Sequence, residues 1–263
     1  MIEIKNLTKI FHENTVNENL VLNGINLKIN KGDFITIIGS NGAGKSTLFN
    51  MISGNLPVTS GEIFLNDNNI THLKEHKRSK DIGRIFQNPL LGTAGKMTLE
   101  DNMIITGSKG FKGLKVSLNN TKRESFKEKL KVLDMGLESR LKDNVGLLSG
   151  GQRQALTLLM VVLSKPQILL LDEHTAALDP RNAEKVLELT KRFISDYNLT
   201  SMMITHNMEH AIKFGNRLLM MDKGEIIYDV SGEEKSNLTI PDLIKKFHDI
   251  RSEQFINDET LLS

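Results

Sequence analysis

The run Phe34-Ile35-Thr36-Ile37-Ile38 leads straight into Gly39-Ser40-Asn41-Gly42-Ala43-Gly44-Lys45-Ser46. A β-branched run of this kind reads as a buried strand. The next eight residues fit the spacing G-x-x-x-x-G-K-[ST] without a mismatch. Lys45 to Ile52 then reads as a helix closed by Ser53-Gly54. The order has a physical reason. Gly39, Gly42 and Gly44 carry no Cβ, so the backbone can wrap closely and turn its N–H groups inward. The helix that follows points its positive end at the same spot. Lys45 adds a point charge for β- and γ-phosphates, and the Ser46 hydroxyl is placed to bind Mg2+. The cradle so read runs from Gly39 to Thr47. A plain glycine turn before a helix is the alternative, and the buried strand in front and helix behind weigh against it.

Ile168-Leu169-Leu170-Leu171-Asp172-Glu173 is a second apolar strand, and it ends in two carboxylates. Ligands of open α/β sheets sit at the carboxyl ends of strands. There Asp172 would reach Mg2+, directly or through water. Glu173 would face the attacking water as general base. Two solvated acids after a core strand are common, but beside a phosphate loop the pair carries more weight.

Composition narrows the classes further. With 39% hydrophobic and 25% charged residues over 263 positions, wholesale disorder is excluded. A net charge of +2 argues against a dedicated nucleic-acid binder. There is no cysteine, which excludes disulfides, zinc knuckles and thiol catalysis. The opening MIEIKNLTKIF alternates and carries Glu3, unlike a signal peptide. The most apolar stretch, Ala155 to Leu171, is broken by Ser164, Lys165 and Pro166, so no segment is expected to span a bilayer. A soluble, cytoplasmic chain is expected, with any membrane role carried by a partner.

Along the rest of the chain, Ile2, Ile4 and Leu7 space as a strand face. Leu20, Leu22, Ile25, Leu27 and Ile29 alternate around a bulge at Gly24. Lys31-Gly32-Asp33 is a turn, Gly61 to Leu65 a strand, and Asp67-Asn68-Asn69 a turn. From Asn88 to Lys165 the character changes. Thr98-Leu99-Glu100-Asp101 starts a helix, and Thr121 to Leu133 is helical with Phe126, Leu130 and Leu133 on one stripe. Gln152 to Leu163 is a long apolar helix. This reads as a helical insertion, at about 88–165, between strands of one sheet. Ser201 to Thr205 and Arg217 to Met221 are strands, and Ala183 to Ile194 is an amphipathic helix. Asp222-Lys223-Gly224 turns the chain into Glu225 to Tyr228. The tail after Ser231 is polar, with one helix after Pro241. Strand–helix alternation implies a parallel sheet with crossover helices.

Leu148-Ser149-Gly150-Gly151-Gln152 adds a second anion site: two glycines at a helix start expose backbone N–H groups, and Ser149 offers a hydroxyl. An N-cap with a flexible glycine pair accounts for Ser149 but not for two glycines followed by Gln152. In the order Gly39–Ser46, Gln87, Leu148–Gln152, Ile168–Glu173 and His206, the chain resembles the ABC-type ATPases from Ile4 to about Tyr228. The resemblance implies an α/β phosphate-loop ATPase fold with a parallel core sheet, an N-terminal antiparallel β subdomain and an inserted α-helical subdomain. It implies ATP and Mg2+ as cofactors and an ATP-dependent homodimer. In that pair, Ser149, Gly150, Gly151 and Gln152 of one subunit cover the γ-phosphate held by the other. It further implies integral membrane permease subunits, admits an extracytoplasmic substrate-binding protein, and places the chain peripherally at the cytoplasmic face of the membrane without nucleic acid. Residue by residue, Phe11 resembles the aromatic that stacks on adenine, and Gln87 the glutamine that touches Mg2+ and the attacking water. His206 resembles the switch histidine on the γ-phosphate, and Asp179, in Ala177-Leu178-Asp179-Pro180, the dimer-contact loop. Catalysis then falls to Glu173, His206 and Lys45, and the metal to Ser46, Gln87 and Asp172. Read without the resemblance, Phe11 is a strand-end core residue, Gln87 a surface residue and His206 a structural histidine.

Two features depart from the family. It usually has proline where this chain has His174. A histidine there alters the loop geometry, titrates near neutral pH or is a neutral replacement, the last being favoured. The segment Arg153-Gln154-Ala155-Leu156-Thr157-Leu158-Leu159-Met160 is more apolar than the family's basic–alanine pattern. With the run from Glu173 to Asp179, this resembles the ATPases of small amino-acid-type importers, those for aromatic amino acids included. Lys109, Lys112, Lys115, Lys122, Arg123, Lys127, Lys129 and Lys131 outnumber Glu124 and Glu128. That stretch is either a patch for anionic lipid or a solvated helix face. The expectation is an ABC ATPase domain over 1–231 with a helical tail at 232–263, coupling ATP-driven dimer closure to solute import through a separate permease. The alternatives are a soluble ABC protein of the translation or DNA-repair kind and an iron–sulfur assembly ATPase.

Overall fold

A computed structural model of the protein describes residues 1–106 and 119–249. In chain order these form β1 (Ile2–Phe11), β2 (Asn19–Ile29), β3 (Phe34–Gly39), α1 (Lys45–Ser53), β4 (Ser60–Leu65), β5 (Asn68–Asn69), α2 (Glu75–Arg78) and β6 (Ile82–Ile85). There follow α3 (Leu99–Thr106), α4 (Asn120–Lys131), α5 (Gly150–Leu163), β7 (Ile168–Asp172) and α6 (Pro180–Asp196). The chain continues with β8 (Thr200–Ile204), α7 (Met208–Lys213), β9 (Arg217–Asp222), β10 (Glu225–Ser231) and α8 (Gly232–Ser236). Residues 240–249 are also helical. The chain divides into two compact units, one of Met1–Glu75 with the chain from Met202 onward, the other of His76–Ser201.

In the first unit β2, β1, β4 and β5 form an antiparallel sheet in that order. Its inner face is Ile2, Ile4, Leu7, Leu22, Ile25, Leu27 and Ile29, all buried. The switch from even to odd positions in β2 is the work of the bulge at Gly24. There β1 advances from Leu7 to Lys9 while β2 covers Ile25 to Leu22, one residue more. Leu20 leaves the expected face and is half exposed, because the register slips again between Lys9 and Ile10. The turn expected at Asp67 to Asn69 sits earlier. Asn66 and Asp67 take left-handed φ values of 47° and 65°, and Asn68 and Asn69 return to pair with Leu65 and Phe64.

The same unit holds a second run of strands in the order β10, β9, β3, β8. β3 is buried from Phe34 to Ile38 and runs parallel to β9. β9 and β10 are antiparallel about Lys223-Gly224, whose φ values of 44° and 81° are the pair required by a two-residue type I′ hairpin. Ile38, Ala211, Leu218, Met220, Val230 and Leu243 share one core, with Phe247 packed on it. The segment after Ser231 therefore differs from a polar tail with one helix: α8 forms as well, and Leu243 is fully buried. Lys235, only 3% exposed, donates to the carbonyls of Ile212, Phe214 and Gly215 at 2.5, 2.6 and 2.8 Å. It thereby satisfies carbonyls left open around the end of α7. Burial lowers its pKa.

In the second unit β6 and β7 run parallel. Parallel neighbours need a long crossover, and α3, α4 and α5 lie within it. α4 ends at Lys131, so Leu133 lies beyond the helix; Leu130 and Leu133 are buried and Phe126 is half-buried. α5 is buried along nearly its whole length, as its apolar sequence requires. α6 starts on the Asp179 cap with Pro180 in the first turn and buries Val186, Leu187, Thr190, Phe193 and Ile194. Of the basic stretch, Lys109, Lys112 and Lys115 lie outside the described residues. Lys127 and Lys131 pair with Glu124 and Glu128, and Arg123 with Glu100, so its described part is partly neutralised. Among the described residues no helix is long and apolar enough to cross a membrane.

Candidate functional site

The first unit carries Phe11, the glycine loop and His206. β3 ends at Gly39, where a Cβ would run into the Met221 carbonyl of β9, so only glycine lets the two strand ends lie so close. Ser40 Oγ donates to the buried Asp222 carboxylate at 2.6 Å, pinning the loop to the end of β9. Gly44, at φ 93°, is the N-cap of α1 and has no side chain to bond the first turn, so that turn points its backbone N–H groups toward the loop. Lys45 Nζ donates to the carbonyls of Gly39 and Ser40, both at 2.8 Å, and holds the loop in a closed arc. Asn41, Gly42 and Ser46 are exposed, Thr47 is half-buried and Ala43 is buried.

His206 follows β8 at an exposed position. Thr205 N donates to Ile37 O at 3.1 Å, which sets this turn beside the phosphate loop. A cavity of about 210 Å³ is lined by both, through Gly39, Ser40, Thr205 and His206, and also by Met220 and Phe247. Phe11 is half-buried at the end of β1, with Lys9 Nζ 5.1 Å from its ring centroid.

The second unit carries the acidic strand end, Gln87 and the Ser-Gly-Gly-Gln turn. β7 is buried throughout, and Asp172 Oδ2 accepts from Arg84 Nη2 of β6 at 2.8 Å. Glu173 turns the chain with φ 47°. His174 is buried and makes a 3.0 Å hydrogen bond to Thr190 Oγ1. Gln87 is exposed just past β6, and the preceding Phe86 carbonyl accepts from Gln154 Nε2 of α5 at 3.2 Å. Ser149 caps α5 in a reciprocal box: Gln152 N donates to Ser149 Oγ, and Ser149 N to Gln152 Oε1, each at 3.2 Å. Gly150 is exposed and Gly151 buried. A Cβ on Gly151 would come within 2.8 Å of the Asn182 side chain. The two glycines thus have separate duties, an open mouth and a close approach. Arg153 folds back to donate to the carbonyls of Val145, Gly146 and Leu148, tying down the segment ahead of the cap. Asp179 accepts from Asn182 N and Nδ2 at 3.1 and 2.6 Å, which holds its pKa below the usual carboxylate value.

Three partners were not legible. Arg84 lies in a four-residue strand interrupted by Gly83, too short to show a period. Asp222 ends an apolar run just as Asp172 does, and that parallel was the available signal. Thr190 reads as one polar position on an amphipathic helix.

The profile of the ABC transporter family matches residues 22–176. A tyrosine transport ATP-binding protein of Clostridioides difficile (strain R20291) is 44% identical over 248 residues, covering 94% of this chain and 98% of that protein. The phosphonates import ATP-binding protein PhnC of Lactococcus lactis subsp. lactis (strain IL1403) is 32% identical, covering 94% of this chain and 99% of its own. Among solved structures, a dimeric post-hydrolysis state of the ATP-binding cassette MJ0796, bound to ADP and Pi, superposes with a TM-score of 0.72. It is 28% identical and covers 88% of this chain and 98% of its own.

Proposed function

The chain belongs to the ABC transporter family of ATPases, and from that premise we propose that it is the ATP-hydrolysing subunit of an importer with a separate permease. The observation that supports this most is the phosphate loop. It is a closed arc with a buried lysine inside it and a helix starting from a glycine N-cap at its mouth. In this reading Gly39 to Thr47 hold the triphosphate, and Lys45 exchanges its two carbonyl partners for phosphate oxygens. Phe11 stacks on the adenine, and His206 holds the γ-phosphate. Gln87 orients the attacking water and Glu173 takes its proton. The capped turn Ser149 to Gln152 of a second copy closes over the γ-phosphate, so that ATP joins two subunits. Catalysis is then mostly positioning and charge stabilisation.

The donor set fits Mg2+. The Ser46 hydroxyl, the Gln87 carboxamide and the Asp172 carboxylate are hard oxygen ligands. Among the described residues no cluster of three or more His, Cys, Asp or Glu forms a protein cage. Mg2+ takes most of its shell from phosphates and water. When bound, it neutralises charge on the transferred phosphoryl group.

An aromatic amino acid is the cargo we assign, supported by the 44% identity to a tyrosine transport protein against 32% to a phosphonate importer. The names of the two relatives, one of transport and one of import, also weigh against the soluble alternatives. The subunit would sit at the cytoplasmic face on its permease, supplied by an extracytoplasmic binding protein. Deleting the gene and measuring uptake of labelled tyrosine tests this. Uptake should fall, and return with the parent gene but not with Lys45→Ala. Unchanged tyrosine uptake would contradict the cargo.

A further inference from the structure

Glu173 stands on a turn that its own backbone does not favour. Its φ of 47° is left-handed, a conformation that residues with a Cβ hold only where the surroundings impose it. One backbone bond closes the turn, from Ala176 N to Glu173 O at 2.9 Å. The next side chain points inward: His174 is 2% exposed, and its Nε2 lies 3.0 Å from Thr190 Oγ1. Thr190 donates its own hydroxyl proton to Val186 O, one turn back on α6, at 2.8 Å. Its oxygen is thereby left to accept, so the imidazole donates from Nε2. Thr190 is itself fixed, because it sits on the buried face of α6 between Val186 and Phe193. The chain of restraint runs from the core, through Thr190 and His174, to the backbone that carries Glu173.

We propose that His174 is a positioning residue: anchored to Thr190, it holds the Glu173 carboxylate in the attitude from which it takes a proton from water. The inference rests on Glu173 being the general base. A histidine that only filled space would need no partner of fixed direction, and its loss would lower stability without separating kcat from KM.

The test is steady-state hydrolysis of Mg-ATP by the full chain, with ATP binding and thermal melting measured alongside. Thr190→Val keeps the shape and removes the acceptor. Its kcat should fall about 10- to 100-fold, the scale of a misplaced catalytic group, while KM and ATP binding stay within about twofold. Thr190→Ser keeps the hydroxyl and should restore kcat to within about threefold of the parent. His174→Gln, whose amide nitrogen reaches about as far as Nε2, should retain far more activity than His174→Leu. A Thr190→Val enzyme with the parent kcat overturns the proposal, as does a fall that Thr190→Ser shares. If Thr190→Val does not fold, the His174 pair decides, and equal kcat in the two overturns it. Glu173→Gln separates the two layers. Parent-like turnover in that variant removes the general-base reading and this inference with it. An inactive Glu173→Gln beside a fully active Thr190→Val removes this inference alone.

Discussion

Gly150 and Gly151 are neighbours of identical chemistry, yet their surroundings differ. A Cβ on Gly150 would lie 3.3 Å from the Leu178 Cδ2 methyl, at an exposed position. A Cβ on Gly151 would lie 2.7 to 2.8 Å from three Asn182 atoms, where ordinary contact begins near 3.4 Å. Asn182 is not at liberty to swing away, because its N and Nδ2 are bonded to Asp179. If Asn182 stays, over-packing costs about 1–3 kcal/mol; if it moves, the lost bond to a charged acceptor costs about 1.5–3 kcal/mol instead. Alanine in place of helical glycine returns about 1 kcal/mol at most. Gly151→Ala should therefore destabilise by about 2 kcal/mol net, and Gly150→Ala by less than about 0.5 kcal/mol. At about 2–4 °C per kcal/mol for a chain of this size, the melting midpoint falls by about 4–8 °C for Gly151→Ala and barely moves for Gly150→Ala. Adding Asn182→Ala to Gly151→Ala removes two of the three obstructing atoms, Cγ and Oδ1, and leaves Cβ, so a double-mutant cycle should show favourable coupling that stops short of full relief. Thermal melts without nucleotide read all four variants. Equal shifts for the two alanines, or additive effects in the cycle, would refute the close approach as the reason for Gly151.

Lys45→Ala should weaken ATP binding by about 100-fold, the loss of a charge-assisted contact or two; equilibrium dialysis measures it, and a change under about threefold would contradict the phosphate loop. Leu243→Ala should cost about 2–5 kcal/mol in urea unfolding, because Leu243 is fully buried beside Met220 and Val230; a cost below about 0.5 kcal/mol would mean that residues 240–249 add nothing to that core. Hydrogen bonds from Asn182 lower the Asp179 pKa, so their stabilisation is complete above about pH 4 and is lost as pH falls through the lowered native value. Asp179→Asn should accordingly flatten the acid limb of the stability curve, and an unaltered limb would show that the carboxylate is not selectively held in its charged form.

The parts of the site legible in the sequence are those where chemistry confines many adjacent residues at once. Gly39 to Ser46 must combine glycines, lysine and hydroxyl in one turn, and the flanking strand and helix show their own periods. Ser149 and Gln152 announce a capped helix start, and the reciprocal box is there. What stayed hidden depends on residues far apart in the chain. Arg84 reaches Asp172 from 88 positions away, and Ser40 reaches Asp222 across 182; neither spacing has a local signature. Around His174 nothing in sequence reveals a buried acceptor on α6, so from sequence it reads as a neutral replacement. The bulge at Gly24 was visible as a change of parity in β2, but the slip that exposes Leu20 lies in the pairing with β1 and cannot be seen in one strand. The segment after Ser231 reads as polar in sequence because Lys235 and Leu243 sit among exposed charges; only tertiary packing buries them.

The most direct measurement is the mass in solution of the full chain carrying Glu173→Gln, with and without saturating Mg-ATP. With ATP the variant should hold twice the 29.5 kDa of one chain, and a charged bulky substitution, Ser149→Arg, should return it to one. A mass of one chain at every ATP concentration, in solution and on its permease, would contradict a nucleotide shared between two copies.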